Sequence, residues 1–435
     1  MSKLAFVGAG STAFVKNVLG DCMMSSALEG FEFALYDINP QKLEESRRLL
    51  NNLKESMNAN INIKAYDNRK DAMRGAKYVV NAIYVGAKER IYLQDFEIPS
   101  KYGLRQTIGD TVGVGGLFRA LRTIPVMMDM AKDMEEVCPD AWLMNYTNPM
   151  PQLTGAVGRY SGVKTVGLCH SVQVAAPSLL KRLDMSEYTA KAQWKMAGIN
   201  HMAWLLEISH DGEDLYPEIM RRAREKQRSP HDDSVRFELM LRFGYYVSES
   251  TTHHAEYHPY FIKRQYPELI ERFGIPLDQH PKNHERRAVR WEQMKAELLN
   301  DTAIRHVRSR EYASHMIEAM ETDIPYRIAG NVVNTGYLID NLPQTACVEV
   351  PCLVDRNGVT PCRIGSLPEQ LAGLNRTNIN TQLMAIEAAI SGRKDAVYQA
   401  AFLDPHTSAE LSLDDIVSVC DELLEVNRPW IGEFK

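Results

Sequence analysis

The chain begins with short apolar runs separated by longer amphipathic stretches. Lys3–Val7, Phe31–Tyr36, Ile61–Tyr66, Tyr78–Val85 and Ala141–Tyr146 are apolar runs of strand length, which predicts buried strands. The spacing between them predicts helices over about Ala13–Met24 and Pro40–Met57. Pro40 sits at the start of the second, where a missing N–H costs nothing. Farther on, Leu117, Leu121, Ile124, Met128, Ala131 and Met134 recur at three- and four-residue spacing and mark one face of a long helix, which Pro125 should bend. Strand and helix alternating in this way predict an α/β, Rossmann-type doubly wound parallel sheet.

After about Met150 the pattern changes. Lys164–Leu168, Ala203–Ile208 and Val348–Val354 read as strands, and Tyr216–Lys226, Ser234–Phe243, Arg286–Leu299, Ser309–Glu321 and Asn375–Ser391 as helices. Arg228–Asp233 and the polar stretch Ser250–His258 read as the long loops. The expected organisation is a dinucleotide-binding domain over 1–150, followed by a mixed α+β substrate domain over 151–435. The segment Gly109-Asp-Thr-Val-Gly-Val-Gly-Gly116 reads either as a lid over the site or as a flexible connector.

Composition narrows the function classes. With 435 residues, 45% hydrophobic and 24% charged, the chain has the balance of a soluble globular protein. A net charge of -6 gives no basis for nucleic-acid binding. No apolar stretch is long enough for a bilayer, and the chain enters a strand at once, so neither membrane anchoring nor a signal peptide is expected. Seven scattered cysteines make no disulfide framework and suggest reducing cytoplasm. Cys22, Cys138, Cys347, Cys352, Cys362 and Cys420 read as small apolar residues, while Cys169 stands apart.

Candidate chemistry lies at the ends of the apolar runs. Gly8-Ala-Gly10-Ser11-Thr12-Ala13 follows the first. Gly8 permits a tight turn, Gly10 leaves room for a pyrophosphate, and Ala13 allows close helix packing. Free N–H groups at the next helix start, around Ser11 and Thr12, would face the phosphates. Asp37 ends the second run, where a carboxylate binds ribose hydroxyls and favours NAD over NADP; it could also simply start a turn. Asn81 lies within Val79-Val-Asn-Ala-Ile83 and serves either the cofactor cleft or a buried backbone contact. Asn148, in Asn145-Tyr-Thr-Asn-Pro149, faces the cleft or caps a helix. Cys169, in Gly167-Leu-Cys-His-Ser171, and His201, in Gly198-Ile-Asn-His-Met202, are either a catalytic metal pair or a buried thiol and a turn histidine. The loop holding Glu249, His253, His254, Glu256, Tyr257 and His258 is a source of acid and base groups.

These motifs, with Ala255-Glu-Tyr257, Asp340-Asn-Leu-Pro343, Asn375-Arg-Thr-Asn-Ile-Asn380 and Asp404-Pro-His-Thr407, resemble glycoside hydrolase family 4 over nearly the whole length, and its α-galactosidase branch in particular. The resemblance implies a lactate/malate dehydrogenase-like arrangement of the two domains. It also implies a glycosidase that departs from the usual two-carboxylate scheme. NAD oxidises the sugar at C3, a base removes the C2 proton, the aglycone is eliminated, water adds, and the hydride returns. The metal ligands would be Cys169 and His201, binding Mn²⁺ or another divalent ion. Asn148 would hold sugar hydroxyls, and Asn81 would lie beside the nicotinamide. Phospho-sugar members carry an Asp after the ligand Cys and use it as the acid; here that position is His170, which can fill the role but need not. The position of the family base falls on Ser250, so Glu249 beside it is the expected base, with Tyr257 and His253 behind. Arg286, Arg287 and Arg290 could hold a 6-phosphate or face solvent, and unphosphorylated α-galactosides are the expected substrates. Other family activities (α-glucosidase, α-glucuronidase, 6-phospho-glycosidase) stay open. A hydroxyacid dehydrogenase and an NAD-sensing regulator are the alternatives of other classes. The family implies a homodimer or homotetramer.

Overall fold

The computed structural model describes residues 2–300 and 304–435, apart from the side chains of 294, 296–298 and 300. Its strands are β1 Lys3–Val7, β2 Glu32–Tyr36, β3 Asn62–Ala65, β4 Tyr78–Asn81, β5 Trp142–Asn145, β6 Lys164–Leu168, β7 Gln193–Ile199, β8 Met202–His210, β9 Glu213–Asp214, β10 Tyr326–Val333, β11 Cys347–Asp355 and β12 Gly358–Pro361. They form one sheet in the order β3-β2-β1-β4-β5-β6-β10-β11-β7-β8-β9, with β12 on β11. The first six are parallel, the doubly wound order with a switch point between β1 and β4. From β10 onward every pairing is antiparallel. β6 continues the parallel series beyond residue 150, so a single sheet joins the two regions.

Helices cover both faces of the parallel part, which is why β1 and β4 at its centre are almost wholly apolar and buried. Leu4 and Phe6 of β1 belong to one core, with Val15 and Leu19 of the Thr12–Met23 helix and Leu49 and Leu53 of the Pro40–Ser56 helix. Ala5 and Val7 point the other way, into a core with Phe118 and Leu121 of the Gly113–Val137 helix. That helix continues through Pro125.

Several expectations are corrected. The run Tyr78–Val85 is strand only as far as Asn81, because the chain leaves the sheet where Gly8 packs against the Ala82 and Ile83 backbone. Ser250–His258 is not a loop: Thr251–Tyr257 is helical, with the Ser250 hydroxyl accepting from the His253 N–H. The helix expected from Ser309 begins at Ala313, because the Ser309 N–H and hydroxyl are both committed to Asp21 on the Thr12–Met23 helix. Cys362 is exposed, while Cys22, Cys138, Cys347, Cys352 and Cys420 are buried as expected, and all seven thiols are free. No helix among the described residues is long and apolar enough to cross a membrane.

The glycine-rich segment is neither a free lid nor a loose connector. Glu256 accepts the backbone N–H groups of Thr107, Ile108 and Gly109. Gln106 accepts that of Gly115, and Asp404 that of Gly113. These bonds fix the residue between them, Asp110, against the site.

Candidate active site

The carboxyl ends of β1, β4, β5 and β6 meet along one crevice, where an open α/β sheet binds its ligand. Gly8 turns the chain out of β1 at φ +92, and a Cβ there would lie 2.6 Å from the Ala82 carbonyl. Its N–H and that of Ala9 both reach the Tyr36 carbonyl at 3.0 Å, tying the turn to the end of β2. Asp37 follows, and its carboxylate accepts the Gly10 N–H at 2.6 Å and the Asn39 N–H at 2.8 Å. A Cβ on Gly10 would meet that carboxylate at 2.7 Å. The side chain Gly10 most directly makes room for is therefore Asp37. Ser11 is exposed at the head of the following helix. Thr12 is buried beneath it against the Ser46 hydroxyl.

Asn81 and Asn145 are register partners at the ends of β4 and β5. The Asn81 amide donates to the Asn145 Oδ1 at 2.9 Å and to the Thr147 hydroxyl at 3.2 Å, while its own Oδ1 is buried without a partner. Asn148 donates to the Asp110 carboxylate at 3.3 Å.

Asp110 was not singled out by sequence reasoning. Its other oxygen accepts the Thr111 hydroxyl at 2.8 Å, and the Arg119 guanidinium stands 3.6 Å away, stacked over Tyr84. Burial alone would raise its carboxyl. Arg119, with His280, His253 and His201 nearby, instead holds it well below the usual carboxylate range, so Asp110 is a fixed negative charge in the site.

His201 occupies the two-residue turn between β7 and β8 with left-handed backbone, φ 65. Burial pulls its imidazole down to about 4, leaving it neutral at physiological pH. Its Nδ1 contacts the Tyr257 hydroxyl at 3.0 Å, and its ring centroid is 4.7 Å from that of His253. Glu249, also left-handed at φ 71, places a carboxylate oxygen 3.6 Å from His253 Nε2. Burial pushes the Glu249 carboxyl up, but His253, His201 and Arg236 outweigh it and leave it below the usual range. Among the described residues, His201, Glu249 and His253 form the group whose donor atoms all lie within 4.8 Å of one another.

Cys169 stands outside that tight group but beside it, since the Glu249 charge acts on both Cys169 and His201. Its thiol contacts the Ser171 hydroxyl at 3.3 Å, and Tyr312 bonds both its N–H and its carbonyl. Burial, with Glu349 and Glu249 nearby, pushes the thiol far up. Asn331 of β10 bridges from the Gly167 carbonyl to Glu349 of β11. Burial pushes Glu349 up to about 8. His170 follows, over half exposed, with Nδ1 3.9 Å from Glu311. Arg286, Arg287 and Arg290 are exposed on the Gln279–Asn300 helix, two of them around a shallow hollow with Lys282 and Glu285.

Comparison with known proteins gives the same architecture. The model of the family 4 glycosyl hydrolases matches residues 3–185, and that of their C-terminal domain residues 196–407. An α-galactosidase of Bacillus subtilis is 60% identical over all of both chains. The crystal structure of a 6-phospho-α-glucosidase from gut microorganisms, in complex with NAD and Mn²⁺, aligns with a TM-score of 0.82 at 20% identity over all of both chains. A malate dehydrogenase of Plasmodium falciparum aligns at 0.50 and 14% identity, over 90% of this chain and 99% of its own. The chain belongs to the family 4 glycosyl hydrolases.

Proposed function

We propose that the chain hydrolyses α-galactosides such as melibiose with the help of bound NAD and a divalent cation, Mn²⁺ foremost. The reading rests on one juxtaposition: the His201–Glu249–His253 group, with Cys169 beside it, joined through Asp110 and Asn148 to the strand ends that carry the Gly8–Asp37 turn. The full-length likeness to an α-galactosidase supplies the sugar.

The residues suit both groups. Neutral imidazole, thiolate and carboxylate are the donors of a catalytic divalent ion. Asn200, next to His201, has both amide atoms buried without partners, as does one Arg119 nitrogen, so polar groups remain for a ligand to satisfy. When bound, NAD⁺ takes and returns the C3 hydride, and the cation draws off the negative charge that builds on the C2 and C3 oxygens. Asp37 would hold the adenine ribose, and the helix start at Ser11 and Thr12 the pyrophosphate. Asn81, at the end of β4, would lie beside the nicotinamide. Cys169 and His201 would hold the cation.

Glu249 is charged at neutral pH and one-quarter exposed, so it can take the proton from C2. His170, facing solvent with Glu311 behind it, hands a proton to the departing aglycone oxygen. Asn148 donates to, and Asp110 accepts from, the glycone hydroxyls. The full-length likeness to an α-galactosidase favours an unphosphorylated sugar, and Arg286, Arg287 and Arg290 face solvent. Seven free thiols suit a reducing compartment.

The test is turnover of 4-nitrophenyl α-galactoside with NAD⁺, Mn²⁺ and reductant each omitted in turn. Each omission is expected to reduce the rate at least about tenfold, with no net NADH formed. An undiminished rate without both cofactors overturns the proposal, and stoichiometric NADH would mark a dehydrogenase instead.

A further inference from the structure

We infer that His253 is a third protein ligand of the catalytic cation, beyond Cys169 and His201. The inference rests on the reading above, that a divalent cation works in this site, and adds a residue to its grip.

The two imidazoles are prepared alike. A hydroxyl engages each Nδ1: Tyr257 for His201 at 3.0 Å and Ser250 for His253 at 2.9 Å. A hydroxyl or carboxylate on one ring nitrogen fixes the tautomer and orientation of a metal-binding histidine. Nε2 is thereby the remaining donor of both rings. The rings meet edge to face at 70°, 4.7 Å between centroids, and Glu249 Oε1 lies 3.6 Å from His253 Nε2. Metal–nitrogen bonds of about 2.1 Å span donors up to about 4.2 Å apart. The donor atoms of the group all lie within 4.8 Å of one another, so small side-chain rotations bring them to that span.

The backbone points the same way. His201 and Glu249 are both left-handed, at φ 65 and 71, a conformation unfavourable for a non-glycine residue that gathers at ligand sites. The His201 turn aims its ring at the group. The Glu249 turn leads directly into the Ser250 cap, and that cap holds both the N–H and the ring of His253. Ser250 therefore serves the site as an anchor for His253. With three residues on the ion, the cation is held before any sugar arrives, and a six-coordinate ion still has positions for sugar oxygens. Glu249 stays beside it to receive the proton.

The test uses the full chain loaded with NAD⁺ and Mn²⁺ and no sugar. Pulsed electron–nuclear resonance of ¹⁴N on the bound Mn²⁺ should count two imidazoles in the wild type and one in each of His253→Ala and His201→Ala. Titration of Mn²⁺ should show binding weakened at least about tenfold in His253→Ala, with NAD⁺ affinity unchanged. If the alanine variant loses NAD⁺ binding as well, His253→Gln gives the same comparison with the side-chain volume kept. One imidazole in the wild type, or unaltered Mn²⁺ affinity in the variant, removes His253 from the site. A wild-type protein that binds no Mn²⁺, or binds it without any imidazole, removes the cation reading itself.

Discussion

At the scale of single residues, the site works by opposed shifts in proton affinity. Burial pulls the His201 imidazole down to about 4, so it would meet a metal already neutral. Burial pushes the Cys169 thiol far up, so it would meet a metal still protonated. A ligating thiol must lose its proton. Mn²⁺ binding at pH 7 should therefore release about one proton, and affinity should rise with pH. Calorimetry in buffers of different ionisation enthalpy measures this directly. In Cys169→Ser the release should vanish while NAD⁺ binding persists. Mn²⁺ binding without proton release in the wild type would show that Cys169 is not a ligand. Asp110 follows the opposite rule to Cys169: Arg119 outweighs its burial and keeps it charged. That contrast arises from a neighbour nine positions along the same chain, so the residue types alone do not reveal it.

At the scale of elements, the Gly113–Val137 helix places Asp110 at its approach. No side chain of its own caps it. Asp404, almost three hundred residues away, accepts the Gly113 N–H with one oxygen and the Thr407 N–H with the other, at 2.9 and 2.8 Å. A carboxylate there satisfies a helix-end donor and opposes the helix dipole. Asp404→Ala leaves two buried donors unpartnered and should cost about 2 kcal/mol in urea unfolding, with a lowered affinity for the glycone. A loss under about 0.5 kcal/mol would mean the cap is dispensable. Such regular elements were legible in the chain: Tyr216–Lys226 and Ser234–Phe243 have the expected bounds, because their apolar spacing has no competitor. β10 was not, since Gly330-Asn331 at its centre reads as a break. In the sheet Asn331 is the residue that bridges β6 to β11. The Thr251–Tyr257 helix was hidden for a similar reason, its polar residues being turned inward to the site rather than outward to water.

At the scale of the whole molecule, the sheet is what assembles the chemistry. Its order β6-β10-β11-β7 leads across the sheet from Cys169, through Asn331 and Glu349, to the turn of His201. Residues far apart in sequence thus share one crevice with the dinucleotide turn. Cys169, His201, Asn148 and Asp37 could be proposed beforehand because each lies in or just after an apolar run, and strand ends are where an open α/β sheet works. Asp110 and Glu349 could not, because their roles depend on which elements the fold lays against them. The central claim is that this crevice lets Glu249 take a proton from C2 of an oxidised galactoside. It is tested most directly by hydrolysis in deuterium oxide, with the deuterium at each carbon of the released galactose read by NMR. The account predicts close to one deuterium at C2 and none at C3, with Glu249→Gln losing turnover at least about a hundredfold. Galactose released at full rate with hydrogen retained at C2 would contradict it.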